Sequence, residues 1–231
     1  NTPQQQKSAA EVLAEQHQSK YRHVYGFHFR DLGQYRDLTV SASAQGSNAC
    51  AVNGSFLAVV LETSGGGSFL VNKLGQTGRV ERDCPRVTGH NAAVTDVKWN
   101  PFNEGQIASA SDDGAIRLWN IPSAGLVENM SEPLVTMAEH TRRVQYVAWN
   151  PIAAGVMASA GLDRVVRVWD TGRTSAVLTS LLPGTLHCLS WSLDGRLLGT
   201  TCADQKVRAL DPRAGTVVMQ AEGHTAFSKP S

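Results

Sequence analysis

Residues 89–120, GHNAAVTDVKWNPFNEGQIASASDDGAIRLWN, return fifty positions later as residues 139–170, EHTRRVQYVAWNPIAAGVMASAGLDRVVRVWD. The two 32-residue windows align without a gap and share 13 identities, including a His, Trp-Asn-Pro, Ala-Ser-Ala, an Asp, an Arg and a last Trp. Such a repeat constrains the chain more than its composition does, because each copy is one supersecondary unit that cannot bury its faces without neighbours. A third copy, weaker and one residue shorter, runs from Leu181 to Asp211. In it Trp191 stands where Trp99 and Trp149 do, and Asp204 where Asp113 and Asp163 do. All five tryptophans fall at repeat positions.

Inside each copy the side-chain period is two, as in Ile116 and Leu118, so the segments read as short strands, and Asp112-Asp113-Gly114 marks a tight turn between two of them. A Gly-His opening, an Asp at the turn and a closing Trp-Asp or Trp-Asn resemble WD repeats. That resemblance implies an all-β propeller built of four-stranded blades. Residues 27–90 read as a first blade without tryptophan, its extended segments at 50–52, 56–62, 68–74 and 79–84 separated by glycine turns. Blade two then takes 91–140, blade three 141–182 and blade four 183–224, with 225–231 as the truncated start of a fifth. Residues 1–18 are Gln-rich with few large apolar side chains and read as linker; residues 19–26, SKYRHVYG, alternate aromatic and basic residues as an edge strand does. A ring of WD blades most often has seven, so four blades read as a fragment of such a ring, an expectation also drawn from the first residue being Asn rather than Met.

Composition excludes several functions. With 21 Lys and Arg against 20 Asp and Glu the formal charge is +1, which predicts no bulk attraction to nucleic acid or membranes. The longest apolar run, at 56–61, is too short to cross a bilayer, and a cytosolic protein is expected. The cysteines, Cys50, Cys84, Cys188 and Cys202, form no Cys-x-x-Cys pair and read as buried, reduced thiols. No metal and no cofactor are expected: the seven histidines are dispersed, and residues 64–67 lack the Lys and helix of a phosphate-binding loop.

His90, Ser109, Asp113 and Trp119 include the residue types of a serine hydrolase. The same set recurs at His140, Ser159, Asp163 and Trp169 with every spacing kept. A nucleophile is needed once, at an exposed elbow, whereas architecture repeats blade by blade. The set therefore reads as a structural hydrogen-bond chain from Asp through His and Ser to the indole, and the chain is not expected to be an enzyme. The third copy keeps Thr200 and Asp204 but has Leu182 for the His and Leu210 for the Trp, as a tolerant scaffold allows. Arg117, Arg167 and Arg208 recur at one strand position and also read as structural.

Stretches outside the generic repeat resemble the coronin family: SKYRHVYG at 19–26, CAVN at 50–53, FLAVVLETSGGGSFLV at 56–71, WNIPSAGL at 119–126 and DPRAGT at 211–216. The resemblance implies a seven-bladed ring closed by residues 19–26, and a non-enzymatic scaffold that binds filamentous actin and regulates its organisation at the cell cortex. It also implies the actin-related-protein branching complex as a further partner, and oligomerisation through a segment outside this sequence. Candidate partner-facing residues are Arg22, Arg30 and Arg36 near the closing strand and Arg142, Arg143 and Arg164 on blade three. Many coronins carry a basic residue where this chain has Thr39, after Asp37-Leu38, which puts direct filament binding in question. Two alternatives stand beside this reading. One is the second propeller of a tandem coronin, with Golgi or vesicle association; the other is an adaptor such as a ubiquitin-ligase substrate receptor, reading a peptide at the central channel.

Overall fold

The computed structural model describes residues 33–42, 48–63 and 66–223. The linker at 1–18, the strand at 19–26, Arg22, Arg30 and the segment 225–231 lie outside them. The chain divides into two compact units, Asn1–Gln34 and Tyr35–Ser231, and every strand below belongs to the second.

Alternating β-branched and small residues give four antiparallel sheets of four strands each. The first holds β2 (Cys50–Val52), β3 (Phe56–Leu61), β4 (Gly67–Lys73) and β6 (Arg86–His90). A two-residue parallel pair, β1 (Tyr35–Arg36) with β5 (Gly78–Arg79), lies beside that sheet in sequence. The second has β7 (Val94–Asn100), β8 (Asn103–Ser111), β9 (Ile116–Asn120) and β10 (Val135–Met137). The third comprises β11 (Val144–Trp149), β12 (Val156–Gly161), β13 (Val165–Asp170) and β14 (Ala176–Leu181). The fourth comprises β15 (Leu186–Trp191), β16 (Leu198–Cys202), β17 (Lys206–Asp211) and β18 (Thr216–Glu222). Among the described residues no α-helix occurs. The architecture is that of consecutive propeller blades.

The sequence places the fourth strand of the first sheet at 79–84, and the structure moves it to Arg86–His90. Glu81 and Cys84 close a turn, the Cys84 N–H donating to Glu81 O at 3.3 Å, and Pro85 has no N–H to give a ladder. The five residues after it pair with β4 from Leu70↔Arg86 to Gly67↔His90.

Period-two alternation sends neighbouring side chains to opposite faces, so each core is shared by two blades. Ile107 and Trp119 of the second sheet pack with Phe69 and Val87 of the first, while Ala108 and Leu118 pack with Val147 and Trp169 of the third. Val166 and Val168 then meet Leu198 and Leu210 of the fourth. A second set of tryptophans links the inner strands. Trp99 Nε1 donates to Ala51 O at 3.1 Å, Trp149 Nε1 to Lys98 O at 3.0 Å and Trp191 Nε1 to Ala148 O at 3.0 Å. Each indole thus satisfies a carbonyl on the edge of the preceding blade, a group that would otherwise be left without a partner in a packed seam.

Only one cysteine follows the expectation of burial. All four are free, but Cys50 and Cys188 are exposed, Cys84 is half-buried and Cys202 alone is buried. Cys50 and Cys188 sit on β2 and β15, the first strands of their sheets, which have a neighbour in the sheet on one side only.

Candidate functional site

The hydrolase-like residues come together twice. His90 ends β6, Ser109 lies in β8, Asp113 in the β8–β9 turn and Trp119 in β9, so one cluster joins the outer strand of the first blade to the second blade. Trp119 Nε1 donates to Ser109 Oγ at 2.8 Å, and that hydroxyl lies 2.7 Å from His90 Nε2. His90 Nδ1 is 3.1 Å from Asp113 Oδ2, which also accepts from the Asn91 N–H at 3.0 Å. The serine hydroxyl already accepts from the indole, so its own proton is available to Nε2, and the tautomer that matches carries the imidazole proton on Nδ1, the nitrogen that Asp113 and Arg117 Nη1 both approach. In the third blade Trp169 Nε1 donates to Ser159 Oγ at 2.8 Å, Ser159 Oγ lies 2.7 Å from His140 Nε2, and His140 Nδ1 is 2.9 Å from Asp163 Oδ2.

An arginine completes each cluster. Arg117 Nη1 donates to Asp113 Oδ2 at 2.8 Å, and Arg167 Nη1 to Asp163 Oδ2 at 3.1 Å. Recurrence in the sequence marks these arginines as structural, but their pairing with a carboxylate four residues back across a tight turn becomes visible only with the strands in place. Burial pushes His90 and His140 below the ordinary imidazole range, against the opposing pull of Asp113 and Asp163. For the two aspartates burial acts upward, but their bonds to histidine and arginine outweigh it and hold both below the usual carboxylate range. Both imidazoles are therefore neutral at pH 7 and both carboxylates ionised.

Chemically, the clusters are sealed. Ser109 and Ser159 are each 0% exposed, and each hydroxyl oxygen is occupied by an indole N–H. A nucleophile needs a path to a carbonyl carbon and an oxyanion site about 3 Å away, and a closed hydroxyl offers neither.

Blade four fills the same place differently. Leu182 and Leu210, 3% and 1% exposed, join one apolar cluster with Leu186 and Leu198. Arg208 still bonds Asp204, through Nη1 at 3.1 Å and through Nη2. Thr200 is 1% exposed and meets neither an imidazole nor an indole.

A separate buried carboxylate lies between blades two and three. Asp96, 2% exposed, accepts the Val147 N–H at 3.1 Å, and Lys98 Nζ lies 3.5 Å away. Burial pushes its pKa up to about 6, Lys98 and the backbone N–H groups offsetting only part of the desolvation. Nothing in its sequence surroundings singled it out.

The basic candidates fall in two places. Arg36, exposed, is in β1, next to Asp37, which pairs with Arg79 at 2.8 Å. Thr39 is exposed and its carbonyl accepts the Glu62 N–H at 3.0 Å, so it edges the first blade. Arg142 and Arg143 lie in the loop between β10 and β11 and Arg164 in the β12–β13 turn, at one end of blade three. Arg143 pairs with Asp112 of blade two at 2.9 Å.

Comparison with known proteins agrees with this architecture. Residues 15–79 match a family described as a domain of unknown function (DUF1899), and residues 82–120 and 131–170 each match the WD domain, G-beta repeat. Coronin-2A of Homo sapiens is 41% identical over 217 residues, which is 90% of this chain. Coronin-2B of Xenopus tropicalis is 50% identical over 203 residues, 87% of the chain. The chain spans about two fifths of those relatives, 41% and 42% of their lengths. The crystal structure of the WD40 domain from Toxoplasma gondii coronin superposes with a TM-score of 0.79 at 28% identity, covering 85% of this chain and 50% of that one. On its repeats, its sheets and these relatives, the chain belongs to the coronin family.

Proposed function

We propose that this propeller segment serves as an actin-filament-binding scaffold in the cytoplasm that helps to organise the actin cytoskeleton, and that it performs no catalysis. The observation that carries the reading is coronin similarity over 87 to 90% of the chain. The sealed serines support it from the side of chemistry, and exposed arginines supply the charge that an acidic filament surface would meet. The branching complex and the cell cortex follow as the further partner and place to examine.

The test is co-sedimentation of the full-length protein with filamentous actin across a salt series, beside an Arg36→Asp variant. Pelleting that weakens with salt and with the substitution is the expected result and locates a contact near β1. No pelleting at the lowest salt contradicts the proposal and identifies Thr39 with a propeller that does not bind filaments directly.

A further inference from the structure

Blade three carries cations that its neighbours lack. At the places of Arg142, Arg143 and Arg164 the second blade has Ala92, Ala93 and Gly114, and the fourth has Gly184, Thr185 and Gln205. The turn is nonetheless the same in all three. The Gly114 N–H reaches Ser111 O at 3.3 Å, Arg164 reaches Gly161 O at 3.1 Å and Gln205 reaches Cys202 O at 3.1 Å. The fold therefore builds this end of a blade with neutral residues, and repetition, which explains the His-Ser-Asp-Trp clusters, does not explain the arginines.

They also differ in what holds them. Arg143 is anchored by Asp112 of the neighbouring blade, Nε to Oδ1 2.9 Å. Arg142 and Arg164 are exposed and form no ion pair among the described residues. Arg164 has φ +64° and its blade-four counterpart Gln205 φ +65°, the left-handed conformation that Gly114 adopts at φ +79°, so the backbone is common to the three turns and the charge alone is particular to blade three. An arginine is thus held in a backbone conformation that costs less with glycine.

We propose that the end of blade three bearing Arg142 and Arg164 is a contact patch for an acidic protein surface, with Arg143 holding the loop in place through Asp112. This rests on the scaffold reading above, under which that surface belongs to the filament. Two free guanidiniums suit carboxylates on a protein. They are too few for a membrane or a nucleic acid, which call for clusters of about four or more cations, and the chain's formal charge is only +1.

The full-length protein and its Arg142→Ala/Arg164→Gly double variant are compared for binding to filamentous actin and, in a second arm, to fluorescent poly-glutamate, each from low to physiological salt. Arg173→Ala, which removes an exposed arginine from the β13–β14 turn, controls for loss of charge alone. The expected result is binding weakened about fivefold or more at low salt by the double variant and unchanged by the control, the gap closing as the Debye length falls to ~8 Å. Since glycine suits φ +64°, the melting temperature of Arg164→Gly holds or rises, which separates lost contact from lost fold. Equal affinity and equal salt dependence in the double variant and the parent overturn the patch, while continued pelleting of both leaves the scaffold reading standing. If the parent itself does not pellet, the scaffold reading fails and the poly-glutamate arm decides: binding lost in the double variant supports the patch, and equal binding refutes it.

Discussion

Blades three and four share strand order, turn geometry and an aspartate four residues before a strand arginine, yet they close the seam to the preceding blade with opposite chemistry. Blade three uses a neutral histidine, a serine and an indole in one hydrogen-bonded chain, Trp169 Nε1 to Ser159 Oγ at 2.8 Å and on to His140 at 2.7 Å. Blade four uses Leu182 and Leu210 packed in an apolar cluster and keeps only the Asp204–Arg208 pair. The pair at the turn is therefore common to all three clusters, while the rest of each cluster is a space that either a satisfied polar chain or a leucine pair can fill. What neither blade tolerates at low cost is half of each, because a buried group without its partner loses about 1–3 kcal/mol.

The largest effect should come from removing an aromatic anchor. Trp169→Ala deletes a side chain that is 0% exposed and also strips Ser159 of its donor, so a loss of ~3–5 kcal/mol is expected in urea unfolding of the complete propeller. Leu210→Ala, which leaves no hydrogen-bonding group behind, should cost less than Trp169→Ala. A larger cost for Leu210→Ala would mean that the polar chain adds nothing to the seam.

Acid should separate the two chemistries next. His90 and His140 titrate lower folded than unfolded, so their contribution to stability is complete above pH ~6.5 and is lost as pH falls through their depressed values. Asp113 and Asp163, held below the usual carboxylate range, contribute above pH ~3.9 and lose that contribution on further acidification. Replacing His140 and Trp169 by leucine and Ser159 by threonine, the residues of blade four, should flatten the stability profile as pH falls below about 6.5. An unchanged slope there would assign the acid sensitivity to other groups.

A smaller effect of opposite sign belongs to Asp96. Its folded pKa of about 6 lies above the unfolded value of 3.8, so the ionised form costs stability at neutral pH and the cost is relieved as pH falls from about 6 to 3.8. Asp96→Asn keeps an acceptor for the Val147 N–H and should raise stability at pH 7.5 while changing little at pH 4. Equal effects at both values would show that the Asp96 charge is not what costs.

How far the sequence discloses this molecule depends on whether an interaction is written in residue types. The His, Ser, Asp and Trp of each cluster are written so, at spacings that recur, and the alternation that builds the strands is equally open. The indole bonds from Trp99, Trp149 and Trp191 end on backbone carbonyls of the preceding blade, and a carbonyl has no letter of its own, so the tryptophans show as a repeat without showing what they hold. The first sheet misleads locally: Arg79-Val80-Glu81 alternates like a strand, whereas β6, Arg-Val-Thr-Gly-His, carries a glycine in mid-strand. Asp96 is hidden for a different reason, since its burial is made by the neighbouring blade through Val147. The arginines of blade three are legible by contrast, as charges at positions where the other copies are neutral.

The most direct test of the comparison sets Ser159→Ala beside Thr200→Val in urea unfolding at pH 7. Ser159→Ala leaves the Trp169 indole and His140 Nε2 buried without partners and should destabilise by about 2 kcal/mol or more. Thr200→Val removes a buried hydroxyl that has lost both of those partners and should be neutral or stabilising. Opposite or clearly unequal effects in that order support polar chains that act as architecture, whereas equal costs at the two sites would contradict it.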